Sequence, residues 1–204
     1  ILFVADEVIT GFGRLGKWFG SEFVDTVPDI MSFAKGITSG YFPVGGTIAS
    51  KRVAQVFSGE ADKTWIHAFT FSSHPGGAAA ALKNLEIMEN ENLVENSRIR
   101  GEQLKENLIK IKRDHPIIGD ARGVGLIQGL EIVSNKKTKE HFSSNIGVNS
   151  MLTEELKNRG LWIRVPAFIL PISPPLIVSA DEIEKITTII DESLSTVEKK
   201  LGVS

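Results

Sequence analysis

Two charged residues, each at the end of an apolar run, are the best placed in this chain to do chemistry together. Ile1-Leu2-Phe3-Val4-Ala5 leads into Asp6, and Asp29-Ile30-Met31-Ser32-Phe33-Ala34 leads into Lys35. Short apolar runs without alternation read as strands buried on both faces, as in a parallel sheet. In open α/β sheets, ligands lie beyond the carboxyl ends of such strands. The pattern therefore brings a carboxylate and an amine to one ligand site. That pair suits pyridoxal phosphate: the amine forms a Schiff base, and the acid keeps the pyridine nitrogen protonated so that the ring can take up electrons. Lys35 lies between Phe33-Ala34 and Gly36-Ile37, so it is expected to be partly buried, which favours the nucleophilic free amine. Val8 shares a face with Asp6 if the chain stays extended, and would press on a flat ring. The plain readings stay open beside these: a helix cap or surface acid for Asp6, a solvated Lys35, and core packing for Val8.

Further candidates lie downstream. Thr70, in His67-Ala-Phe-Thr70-Phe-Ser-Ser-His-Pro75, precedes an expected helix N-terminus, where hydroxyl and N–H groups suit a phosphate or simply cap the helix. Arg164 closes Leu161-Trp-Ile-Arg164 and is either a carboxylate fork or a surface ion-pair partner. Gly11-Phe-Gly13-Arg-Leu-Gly16 matches the dinucleotide-binding pattern, but Asp6 to Thr10 separate it from the strand and no amphipathic helix follows. These glycines are expected to shape a loop; a nucleotide-binding module is the weaker reading. His67 and His74 have no third ligand at a supporting spacing, so no metal is expected.

Three strands are expected in the first part, over 1–5, 30–34 and 44–49, with 7–28 long enough for a parallel crossover. A helix starts near Pro75. It breaks at Glu89-Asn90-Glu91-Asn92, and a second helix carries Leu104, Leu108 and Ile111. Beyond Pro116 come one or two strands in 124–133, a helix over 151–158 and short strands at 161–164 and 176–178. A final helix opens with the capping box Ser179-Ala-Asp-Glu182 and carries Ile183, Ile186, Ile190, Leu194, Val197 and Leu201 on one face. The division expected is 1–90, a linking helix over 91–115, and a small α+β domain over 116–204. The fold class is α/β.

The bulk properties narrow the classes. The 204 residues are 42% hydrophobic and 24% charged, as in a globular protein. A formal net charge of −2 gives no electrostatic case for nucleic acid or an anionic membrane. With no cysteine, disulfides and thiolate metal sites are excluded. No apolar run approaches a membrane span, no signal peptide is visible, and a cytoplasmic location is expected. The chain opens on Ile1 inside an expected core strand, so it is expected to be the C-terminal part of a longer protein.

Taken together, the chain resembles the class III, fold type I pyridoxal-phosphate aminotransferases. The resemblance runs through Asp6-Glu-Val-Ile-Thr-Gly-Phe-Gly-Arg14, Pro28-Asp-Ile-Met-Ser-Phe-Ala-Lys35-Gly, Ser39-Gly-Tyr-Phe-Pro-Val-Gly-Gly46, Phe69-Thr70 with His74-Pro75, Arg122-Gly-Val-Gly125-Leu and Pro174-Pro175-Leu. It implies part of the large cofactor-binding domain plus the small C-terminal domain. It also implies that Asp6 meets the pyridine nitrogen, Val8 lies on the ring, and Lys35 holds the cofactor and moves the proton. Thr70 would bind the phosphate of the neighbouring subunit in a homodimer. Phe69, Trp18 and Arg164 would be the substrate-binding residues, Arg164 gripping the keto-acid carboxylate. Ile9 and Trp18-Phe19-Gly20 point to the group that passes an amino group from an ω-amino acid or amine to pyruvate, by a ping-pong route. A glutamate-semialdehyde aminomutase-like enzyme and a non-catalytic fragment are the alternatives.

Overall fold

Strand β1 (Val4–Asp6) runs parallel to β2 (Ile30–Phe33), with Asp6 level with Ser32, and β3 (Gly46–Ala49) joins β2 antiparallel on its other side. The parallel pairing expected from the two apolar runs is present, but β1 starts at Val4 and ends at Asp6, and with Ile1 to Val4 exposed it is not buried on both faces as expected. The computed structural model describes residues 1–58 and 61–203. Its chain divides into two compact units, Ile1–Glu95 and Asn96–Ser204.

The crossover between β1 and β2 is a loop closed by the short helix α1 (Gly20–Phe23). After β3 come the short helix α2 (Lys51–Ala54) and the long helix α3 (Pro75–Asn90). Proline stands at the first helical position of α3, where its missing N–H costs nothing. The polar break expected at 89–92 is narrower: Glu89 and Asn90 stay in α3, and a turn at 91–92, where Asn92 takes a positive φ of 53°, precedes α4 (Leu93–Asp114). The first unit buries few large side chains. Phe12, Ile37 and Met88 are inside, whereas Phe3, Tyr41, Trp65, Phe69 and Phe71 stand exposed.

The second unit holds the main core. Strands β4 (Ile118–Val124), β5 (Ile127–Ile132) and β6 (Ile169–Ile172) form an antiparallel sheet in that order. Helices α5 (Val148–Asn158) and α6 (Ala180–Leu201), with α4 from Asn96 onward, complete the unit. Gln128, Leu130 and Ile132 alternate inward along β5, the period-two pattern of a strand with one covered face. Leu104, Leu108, Leu152, Leu156, Ile183, Ile190 and Leu194 join Leu130 and Ile132 in one cluster. Gly101 of α4 lies so close to the β4–β5 turn that a Cβ there would come within 2.5 Å of Gly125 Cα. The expected capping box forms: Ser179 Oγ accepts from Glu182 N (3.2 Å), and Ser179 N donates to Glu182 Oε2 (2.8 Å).

Two expected strands are absent, and two strands lie outside the expected ranges: β6, and β4, which precedes the expected 124–133 except at Val124. Residues 161–165 lack a ladder partner; Leu161 and Ile163 pack on the core from irregular backbone. Residues 176–178 belong to a turn closed by Val178 N donating to Pro175 O (3.1 Å). Strand β6 contains Pro171, which its edge position tolerates because one side of the strand needs no donor. Among the described residues, no helix is long and apolar enough to cross a membrane.

Candidate active site

Parallel pairing brings the carboxyl ends of β1 and β2 side by side, and each ends near one of the two residues singled out above. Asp6 Oδ1 accepts from Val8 N (3.1 Å) and from Ser32 Oγ (3.3 Å) on β2. These bonds fix the carboxylate at the strand end while Asp6 stays exposed. Three residues past Ser32, Lys35 opens a single 3-10 turn over Lys35–Ile37. Its backbone has φ 43°, in the left-handed region that costs a non-glycine residue about 1–3 kcal/mol. Strained residues gather at functional sites when their surroundings hold them there.

The surroundings of Lys35 are specific. Asn84 of α3 donates its amide to Gly36 O (3.0 Å) and Ile37 O (3.2 Å), and its Oδ1 accepts from Ser39 Oγ (2.7 Å). Phe12, itself at φ 59°, packs beneath the same turn. A Cβ on Gly36 would come within 2.9 Å of Phe12 Cβ, so only glycine lets the turn sit there. The Phe12 ring meets Phe33 of β2 at 5.9 Å and Phe19 at 5.4 Å, both edge to face. Trp18 stands half-buried on the same loop, its carbonyl accepting from Phe12 N (2.6 Å).

Glu7 ties that loop down. Its buried carboxylate accepts from Thr10 Oγ1, Gly20 N (2.8 Å) and Ser21 N (2.7 Å). Burial pushes its pKa up, but these bonds, with a further one from the Ser21 hydroxyl, outweigh burial and hold it below the usual carboxylate range.

Two more features belong to this unit. Phe42, Val44, Phe69, Phe71 and His74 line a cleft of about 670 Å³, within the range of small-molecule sites. Thr70 lies in the turn beside it, exposed, and does not cap α3. That cap is His74, whose Nδ1 accepts from Gly76 N (3.0 Å). His67 stacks on Trp65 and meets Phe69 edge to face. In the second unit, Arg164 is exposed and lines a hollow with Thr153, Glu154 and Lys157. It forms no ion pair among the described residues, so its guanidinium is open to a carboxylate.

Comparison with known proteins places this geometry. The sequence profile of the class-III aminotransferases (Aminotransferase class-III) matches residues 1–194. The chain belongs to the class-III aminotransferase family. Among this family's curated members, the putrescine–pyruvate aminotransferase of Pseudomonas aeruginosa is 40% identical over 189 residues, covering 93% of this chain and 41% of that protein. A probable mitochondrial gamma-aminobutyrate transaminase 3 of Oryza sativa subsp. indica is 38% identical over 204 residues, covering 99% and 40%. Among solved structures, a transaminase from the marine bacterium Virgibacillus superposes with a TM-score of 0.93 at 44% identity, covering 99% of this chain and 46% of that one. An (S)-enantioselective omega-transaminase from Thermomicrobium roseum gives 0.92 at 38% identity, covering 97% and 44%. The fold type I expectation agrees with these class-III transaminase structures. The chain spans less than half the length of each of them.

Within the family framework, several expectations need amending. The structure leaves Lys35 exposed, because its left-handed backbone swings it out of the strand line. Val8 does not share a face with Asp6 along an extended strand, since the chain turns at 8–10 and Val8 N folds back onto Asp6 Oδ1. Glu7 and Asn84 escaped the sequence reading. Glu7 carried one readable signal: an acid inside an apolar stretch, followed by a glycine-rich loop with free N–H groups to satisfy. Asn84 carried none, because its partners lie 47 and 48 residues away.

Proposed function

We propose that the chain is part of a pyridoxal-phosphate aminotransferase that moves an amino group from an ω-amino acid or amine to a keto acid, with pyruvate as the acceptor. The observation that carries this reading is the Asp6 carboxylate and the strained Lys35 amine at the ends of two parallel strands. The donor set fits the cofactor: an acid held by two hydrogen bonds, an amine free of ion pairs among the described residues, and no competing charge bonded to either. Pyridoxal phosphate, when bound, supplies an aldehyde and an electron-withdrawing ring.

The residues divide the remaining work. Asp6 holds a proton at the pyridine nitrogen. Lys35 Nζ attaches the cofactor and carries the proton between substrate and cofactor carbons. Val8 and Trp18 confine the reacting groups, and Arg164 binds the acceptor's carboxylate. Thr70 binds phosphate, with Phe69 beside it, across a homodimer interface. The run Trp65–Phe71 supports that arrangement: Trp65, Phe69 and Phe71 are 64%, 71% and 78% exposed, an apolar strip that another protein surface would cover. Residues 1–90 belong on this reading to the large cofactor domain, and 116–204 to the small one.

The test is to mix the protein with pyridoxal phosphate, reduce with borohydride and map the peptides. The expected outcome is a pyridoxyl label on the peptide containing Lys35, lost in Lys35→Ala. Amine donors with pyruvate should then yield alanine. A label spread over surface lysines would sink the reading. An isomerised amino acid formed without any keto acid would favour an aminomutase instead.

A further inference from the structure

Glu7 is only 2% exposed and has no part in the chemistry above. Its two oxygens gather four donors, the Thr10 and Ser21 hydroxyls and the N–H groups of Gly20 and Ser21. A protonated carboxyl would turn an O–H towards donors already in place, so only the ionised, acceptor-only form fits. The consequence is a closed loop from 7 to 21. Gly11 N donates to Glu7 O (3.0 Å), and Phe12 N and Gly13 N both donate to Trp18 O (2.6 and 3.3 Å).

What the loop carries makes the bolt functional. Asp6 is the residue before Glu7, at the base of the loop. Trp18 stands two residues before Gly20, whose N–H the carboxylate grips. Phe12, bonded to Trp18, is wedged under Gly36 and so under the turn that opens with Lys35. One buried charge thus connects the three residues assigned above to cofactor and substrate.

We propose that Glu7 is a positioning residue that sets the grip on the amino donor by holding Trp18 and Phe12 in register with Asp6 and Lys35, without itself touching substrate or cofactor. The inference rests on the aminotransferase reading, and its test separates the two.

Trp18 is one of three tryptophans in these 204 residues, so it becomes the sole reporter once every other tryptophan of the full-length protein is replaced by Phe, Trp65 and Trp162 among them. Glu7→Gln keeps the size but turns an NH₂ towards one of the donors. Glu7→Asp keeps the charge on a side chain one carbon shorter. In the full-length protein, folded Glu7→Gln should make Trp18 about twofold more accessible to acrylamide. The amino donor's KM should rise about tenfold, the scale of one lost charged hydrogen bond, with kcat within about threefold. The cofactor's visible absorbance should stay as in the unmutated protein, and Glu7→Asp should recover part of the KM. Should Glu7→Gln fail to fold, Thr10→Val removes a single donor and should move both readouts the same way by less.

Unchanged Trp18 quenching and donor KM in a folded variant would overturn the proposal. So would an equal fall in kcat with unchanged KM, which would mark Glu7 as acting on the chemical step. If the unmutated protein never takes up pyridoxal phosphate, the aminotransferase reading fails. The quenching result still decides whether Glu7 holds Trp18.

Discussion

Asn84 shows how much one side chain can fix at this site. Its amide satisfies two carbonyls of the turn that presents Lys35, and its oxygen takes the Ser39 hydroxyl. Asn84→Leu is nearly isosteric but leaves those groups without partners, which costs about 1–3 kcal/mol. The expected outcome is a lower urea midpoint, together with faster hydrogen exchange at Thr38 and Ser39, whose amides bond back to Lys35 O and Gly36 O. An unchanged midpoint would show that water replaces the amide at no cost. At this scale the sequence was legible where a residue's role follows from its immediate neighbours. The placement of Asp6 and Lys35 at the ends of two paired strands could be read because each closes an apolar run. Asn84 sits in a helix among ordinary helix residues, and the 3.6-residue period says nothing about a bond to a distant loop.

Among the elements, the end of α6 is held by a buried histidine. His115, 4% exposed, lies between α4 and β4 and faces Glu198 Oε2 through Nδ1 (2.9 Å) and Asp191 Oδ1 through Nε2 (3.0 Å). A neutral imidazole donates only once, so two carboxylates call for the charged form. Burial pushes the His115 pKa down, but the bonds to Asp191 and Glu198 outweigh it and raise it. The nearby Lys136 ammonium, bonded to Lys112 O, also feels Glu198. With the folded value above the unfolded value of about 6.5, the folded form holds the proton more tightly. The stabilisation is complete below about pH 6.5 and fades as pH rises through the folded value. Thermal melts of the protein should lose stability from neutral to mildly alkaline pH, and His115→Gln should flatten that slope while lowering stability on the acid side. The helices around this clamp were readable from period and caps, as α6 and its capping box show. Strand β6 was not, because Pro171 argues against a strand unless its edge position is known.

Across the whole chain, burial is divided unequally. The second unit encloses Leu108, Ile118, Leu130, Leu156, Ile190 and Leu194 at 1% exposure or less. The first unit leaves much of its aromatic surface outside. Apolar burial drives folding at roughly 25 cal/mol per Å², so the second unit has the means to fold by itself. A fragment of residues 93–204 is expected to melt cooperatively. A fragment of 1–92 should bind a hydrophobic dye and show no sharp transition. Calorimetry and dye fluorescence check this, and a cooperative transition in the first fragment alone would reverse the assignment. The sequence reading set a linking helix over 91–115 between 1–90 and 116–204, whereas the compact units are Ile1–Glu95 and Asn96–Ser204. Where the second unit begins was not visible, because α4 runs through the boundary as one continuous helix.

The left-handed backbone at Lys35 sets two kinds of selection against each other. For folding alone, glycine or asparagine suits that conformation better than lysine. Variants sorted only for heat resistance would therefore drift away from lysine here, and those sorted for turnover would keep it. A sharp parting of the two populations at Lys35 would support the proposed amine role without any ligand being seen.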